Sequence, residues 1–143
     1  MKYFIQLLAL FSVSFGCMAN SQFGAGLGFQ FGEQEIDHDW DDELGLHASL
    51  IVNQPGRFYA KAASDFSHFH SVTGGYSIPL NTLVGGASFG IGGGFIDYRY
   101  SDDNWLFSMM FTANQTYHNM GHGGAIEFNS DSIMINYFVT FIK

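Results

Sequence analysis

From residue 22 onward the chain alternates. Phe23, Ala25, Leu27, Phe29 and Phe31 are separated by Gly24, Gly26, Gly28, Gln30 and Gly32. Leu44, Leu46, Ala48, Leu50 and Val52 alternate with Gly45, His47, Ser49 and Ile51. The same period returns in Trp105–Asn114, where the odd positions are apolar, and in Ile133–Phe141. Successive strand side chains point to opposite faces, so each run is a strand with one greasy face. The pattern predicts eight strands: Gln22–Gly32, Glu43–Asn53, Arg57–Asp65, Ser71–Ile78, Leu83–Tyr100, Trp105–Tyr117, Gly121–Asn129 and Ser132–Lys143. Asn53-Gln54-Pro55-Gly56, Ser101-Asp102-Asp103-Asn104 and Asn129-Ser130-Asp131 are turn sequences. Gly92-Gly93-Gly94 inside a long strand predicts a bulge, which would turn Ile96, Tyr98 and Tyr100 outward and Asp97 and Arg99 inward.

The second face decides the surroundings. On a soluble sandwich it meets water and carries Lys, Glu, Asp and Arg. Here it carries mainly Gly, Ser, Thr and Asn, with a few His. Small, weakly polar residues suit the interior of a narrow barrel, and the greasy face then meets lipid. In lipid a sheet must close, because an open edge leaves backbone groups unpaired. The expected fold is all-β: one antiparallel up-and-down transmembrane barrel of about eight strands.

Composition agrees. Only 13% of the 143 residues are charged, against roughly 25% in a soluble domain. The net charge of −8 lacks the basic footprint of a nucleic-acid binder. A hydrophobic content of 47%, with 16 Phe, excludes a disordered chain. The lone Cys17 excludes a disulfide scaffold.

The first residues, MKYFIQLLALFSVSFGCMANS, have the layout of a secretory signal peptide. Lys2 precedes the apolar run Tyr3–Phe15, which is short of the ~20 residues a spanning helix needs. Residues 1–19 are expected to be removed after Ala19, leaving 20–143 as one barrel domain. A lipoprotein signal acylated at Cys17 is the rival reading.

On this pattern the chain resembles the small eight-stranded outer-membrane barrels of Gram-negative bacteria, the OmpA and OmpX type. The resemblance implies a porin-like fold in the cell outer membrane, with both termini periplasmic and the loops after strands one, three, five and seven outside. Ile133–Phe141 resembles the C-terminal signal read by the barrel-assembly machinery. The implied partners are that machinery, membrane lipid and lipopolysaccharide. A monomer without nucleic-acid contacts is expected.

Candidate chemistry lies in four places. Glu33–Glu43 holds seven of the 13 acids and is expected as the first surface loop. Asp37, Asp39 and Asp41 alternate like the start of an EF-hand, but Asp42 and Ala48 replace the Gly and Glu that such a loop requires. With His38, and with His68 and His70 from the second loop, these residues are the candidate ligands of a divalent cation. Otherwise no cofactor is expected. His118 and His122 faintly resemble the histidine of outer-membrane lipid A deacylases, in which a serine follows two residues later. Met120 and Gly124 stand there instead, so a non-enzymatic role in envelope structure or surface contact is expected ahead of lipid modification. The interior candidates are His47, Asn114 and Asn136, with Lys61 and Arg99 balancing Asp97 and Glu127. Buried charges must pair, so these four are expected to plug the lumen.

Overall fold

The computed structural model describes residues 21–36, 39–82, 85–115 and 119–142. Eight strands follow one another: β1 (Gln22–Ile36), β2 (Asp39–Gln54), β3 (Phe58–Ser64), β4 (Phe69–Thr82), β5 (Gly85–Tyr98), β6 (Trp105–Gln115), β7 (Met120–Phe128) and β8 (Ser132–Ile142). Each pairs antiparallel with its neighbour in sequence, and β1 pairs with β8, so the sheet is closed. The two ends of the barrel chain meet at one rim, where Gln22 lies opposite both Ile142 and Asn53. The other rim carries the β1–β2, β3–β4, β5–β6 and β7–β8 connections and is called the loop end below. The expected signal segment 1–19 lies outside the described residues.

The alternation sets the faces. Leu27, Leu44, Leu46 and Phe95 point outward and are 72%, 70%, 67% and 77% exposed. Their strand neighbours Gln30, His47 and Ser49 point inward and are buried. Burying a Leu or Phe is worth about 1.5–3 kcal/mol. A fold that leaves a whole apolar band outward while enclosing Lys and Glu is inverted relative to a water-soluble barrel.

Two expectations are corrected. The acidic segment is not a loop. β1 and β2 remain in register through Glu33↔Asp42, Gln34↔Asp41, Glu35↔Trp40 and Ile36↔Asp39, while β8 stops at Ser132 opposite Gly32. The last four rungs therefore project past the barrel wall as a two-stranded ribbon, roughly 13 Å at ~3.4 Å per residue. The ladder set by the apolar residues below simply continues, overriding the weak strand preference of Asp and Glu.

Nor is there a bulge at Gly92–Gly94. The registers of β5 with β4 and with β6 run through these residues unbroken. The glycines are there for space. A Cβ on Gly90 would lie 2.7 Å from the Tyr59 ring, and Cβ atoms on Gly92 and Gly94 would collide with the backbone oxygens of Gly74 and Val72. With no shift in register, Ile96 and Tyr98 point inward and are buried. Asp97 and Arg99 are exposed on the outside, not in the lumen.

Candidate functional site

The interior is filled in layers. Nearest the loop end, Ala63, Phe69, Ile96, Tyr98, Leu106 and Met134 form an apolar plug. Phe69 and Tyr98 meet edge to face at 5.5 Å, a favoured aromatic geometry. Further along the lumen, Ile51, Tyr59, Met110, Ala125 and Phe138 form a second plug.

The barrel also encloses an ion pair. Lys61 Nζ lies 2.6 Å from Glu127 Oε2, and both side chains are essentially inaccessible. Glu127 Oε1 accepts hydrogen bonds from the hydroxyls of Thr73 at 2.5 Å and Ser108 at 3.2 Å. A buried carboxylate held by a cation and two donors keeps its charge compensated. The Tyr59 hydroxyl donates to the Ser108 carbonyl at 3.2 Å, linking this group to the second plug. On the loop-end side, the His47 ring bridges Gln30 Oε1 at 2.7 Å and Asn136 Oδ1 at 2.6 Å. Its ring centroid lies 4.9 Å from that of Phe69, with the two planes tilted by 36°. Gly28 is what lets His47 sit there, because a Cβ would come within 2.5 Å of His47 Nε2.

Near the termini, Asn53 is a hub. Its Nδ2 donates to Gln22 Oε1 and Ser88 Oγ, each at 3.0 Å. Its Oδ1 accepts from the Ser77 hydroxyl at 2.6 Å. This layer ties β1, β2, β4 and β5 together across the interior.

Of the residues singled out in the sequence, the fold brings Lys61 to Glu127 and His47 to Asn136. It places Asp97 and Arg99 outside, and the Asn114 side chain lies outside the described residues. Four polar partners were not anticipated: Gln30, Asn53, Thr73 and Ser108. Gln30 carried a signal, as the one non-glycine on the inward face of Gly24–Gly32. Asn53 was hidden inside a turn sequence.

The candidate cation ligands are not gathered. Asp37 and His38 lie outside the described residues, as do the side chains of Asp39 and Asp41. His68 is exposed in the β3–β4 loop, and His70 pairs through Nδ1 with Ser64 Oγ at 2.8 Å. The Asp65 carboxylate beside them accepts the backbone N–H groups of Ser67, His68 and Phe69 at 2.7–2.9 Å. Among the described residues, no group of three or more His, Cys, Asp or Glu is arranged to hold a metal.

Charge is segregated. Every described acid except Glu127 stands at or near the loop end, with Arg99 as its cation. Arg57 lies in the turn at the opposite end.

A closed up-and-down barrel of eight strands, with an apolar band outside and an ion pair and polar side chains enclosed between apolar plugs, is an architecture that small outer-membrane β-barrels share. No protein-family model matches the chain, and no curated protein matches it. Among solved structures it is similar to Ail, the attachment invasion locus protein of Yersinia pestis. The identity is 11% over 87% of this chain and 98% of that one, with a TM-score of 0.42.

Proposed function

We propose that the chain is a monomeric outer-membrane barrel of a Gram-negative envelope, with a sealed lumen and an acidic rim turned to the outside. Its contribution is to envelope structure and surface contact, not to the passage of solutes. The observation that carries this reading is the outward apolar band, with Leu27, Leu44, Leu46 and Phe95 about two-thirds exposed or more. Monomeric soluble proteins rarely leave apolar patches beyond a few hundred Å² uncovered, whereas lipid covers such a band at no cost. The sealed lumen is supported by the two apolar plugs and the charge pair within the barrel. An eight-stranded barrel has an interior just wide enough for its side chains.

Cell fractionation with gel electrophoresis tests the reading. The protein should enter the outer-membrane fraction, resist extraction by salt, and migrate differently on an SDS gel before and after boiling. In planar bilayers it should give no steady conductance. Release by salt together with identical migration would remove the membrane assignment, and steady open channels would remove the sealed lumen.

One observation favours divalent-cation binding at the ribbon as a second reading. Glu33 stands directly opposite Asp42 in the ladder, and like charges so placed destabilise a strand pair. A Ca²⁺ or Mg²⁺ ion shared between the strands relieves that repulsion. Calorimetric titration of the refolded protein should then give heat that disappears in Asp42→Asn; no heat at millimolar ion excludes this reading.

A further inference from the structure

No serine stands two residues after His118 or His122, but strand register brings a serine to another histidine. Ser64 ends β3 and lies opposite His70 of β4. Asp97 of β5 lies opposite His70 on its other side. The three residues occupy outward-facing register positions on adjacent strands. The row beneath them, toward the middle of the barrel, is Ala62, Val72 and Phe95, part of the apolar band. The row thus sits where that band gives way to polar residues.

The local bonding suits a nucleophile and its base. Ser64 Oγ is 2.8 Å from His70 Nδ1. The Phe66 N–H donates to the same Oγ at 2.8 Å. With one lone pair so occupied, the hydroxyl's own proton is directed at Nδ1 when the imidazole carries its proton on Nε2. Phe66 is held at φ 64°, a conformation costly for a bulky side chain. Two features hold the loop there: the Asp65 carboxylate on three backbone N–H groups, and a bond from Arg99 N–H to the His68 carbonyl at 3.2 Å. The loop covers Ser64, which is 2% exposed. Substrate must therefore lift residues 65–68, whose Phe66 side chain projects outward and is 68% exposed.

We propose that Ser64 and His70 form a hydrolytic site for carboxylic esters of membrane lipid, with Asp97 as a positioning residue. Ser64 Oγ attacks the ester carbonyl carbon as its proton passes to His70 Nδ1. The carbon–oxygen bond to the alcohol breaks, and the alcohol leaves with that proton. Water then attacks the acyl-serine, giving its proton to His70. The fatty acid departs, and Ser64 Oγ recovers a proton from the ring. Asp97, opposite His70 on the neighbouring strand, fixes the position of the ring.

The substrate class rests on the membrane reading, but the nucleophile does not, and the test separates them. The full chain is refolded in detergent micelles, with folding checked by the heat-dependent gel shift. It is then treated with an alkyl fluorophosphonate, with p-nitrophenyl butyrate and with phospholipid in mixed micelles. The probe should modify Ser64 in the shifted protein, and Ser64→Ala should abolish modification while keeping the shift. His70→Gln should lower ester release about 100-fold or more, the range of a lost general base. Asp97→Asn should lower kcat for ester release with KM unchanged and without abolishing labelling, and Ser130→Ala, in the β7–β8 connection, should leave both readouts unchanged. Shifted wild-type protein that takes no probe and releases no more product than Ser64→Ala overturns the site. Turnover of the soluble ester with intact phospholipid overturns the substrate class alone. Absence of the gel shift in the wild type counts against the barrel in membrane and is read independently of labelling.

Discussion

Replacing Lys61 by Met removes a cation from an interior in which both members of the pair are inaccessible. The side chain stays unbranched and loses only its terminal ammonium, so the change is chiefly electrostatic. At 2.6 Å the gross attraction is about 6 kcal/mol for an effective dielectric near 20. Much of it is offset by the cost of desolvating the two ions. What the variant suffers is the charge left behind, because Glu127 keeps only the Thr73 and Ser108 hydroxyls. Breaking one side of a buried pair costs about 3–5 kcal/mol. Lys61→Met combined with Glu127→Leu leaves no orphaned charge, and stability should rise again by at least about 2 kcal/mol over the single variant. The assay is urea unfolding of vesicle-inserted protein followed by tryptophan fluorescence, with the heat-dependent gel shift as a second probe. Outward-facing Trp105 lies on the apolar band and reports loss of the lipid environment. If Lys61→Met costs less than about 1 kcal/mol, the pair is not desolvated. If Glu127→Leu deepens the loss, its charge is not what makes the single variant unstable.

Other substitutions probe other parts of the account. Leu46→Arg places a charge on the outward band and should cost about 2–4 kcal/mol of insertion stability, read from the same urea titration. Gly28→Val should prevent the gel shift, because even its Cβ would come within 2.5 Å of His47 Nε2 and 2.8 Å of Asn136 Oδ1. Tyr59→Phe removes only the bond to the Ser108 carbonyl and should cost about 1 kcal/mol. Asp65→Ala strips three backbone N–H groups of their acceptor, so the amides of Ser67, His68 and Phe69 should exchange markedly faster while the strand amides of β3 hold.

The parts legible in the sequence were those governed by period two. A one-residue slip would turn every side chain to the wrong face, so the alternation through Phe23–Phe31, Leu44–Val52 and Ile133–Phe141 determined both strands and facing. Two inferences made from residue type failed. Seven acids in Glu33–Glu43 resembled a solvated loop, yet the ladder that begins far below at Gln22↔Asn53 carries the pairing past them. Three glycines in a row resembled a bulge, but their empty Cβ positions serve the close approach of the β4 and β6 backbones. That error displaced Asp97 and Arg99, because a facing assigned after a false bulge is wrong for every later residue of the strand. Charge balance placed Lys61 and Glu127 inside without pairing them, because it left Asp97 and Arg99 as equal partners. Thr73, Ser108 and Asn53 were not legible, since hydroxyls and amides in strands carry no signal of their partners until register is known. Ser64 and His70 were invisible as a pair for the same reason: they are six residues apart and meet only across a hairpin.

The central claim is that lipid covers the outward face while protein fills the inside. Nitroxide labels at Leu27, Leu46 and Tyr137, compared with labels at Arg57 and Asp102, test it directly in protein inserted into vesicles. The account predicts that the first three collide readily with oxygen and scarcely with a water-soluble nickel chelate, with the reverse at Arg57 and Asp102. Chelate accessibility at Leu27, Leu46 and Tyr137 equal to that at Asp102 would contradict it.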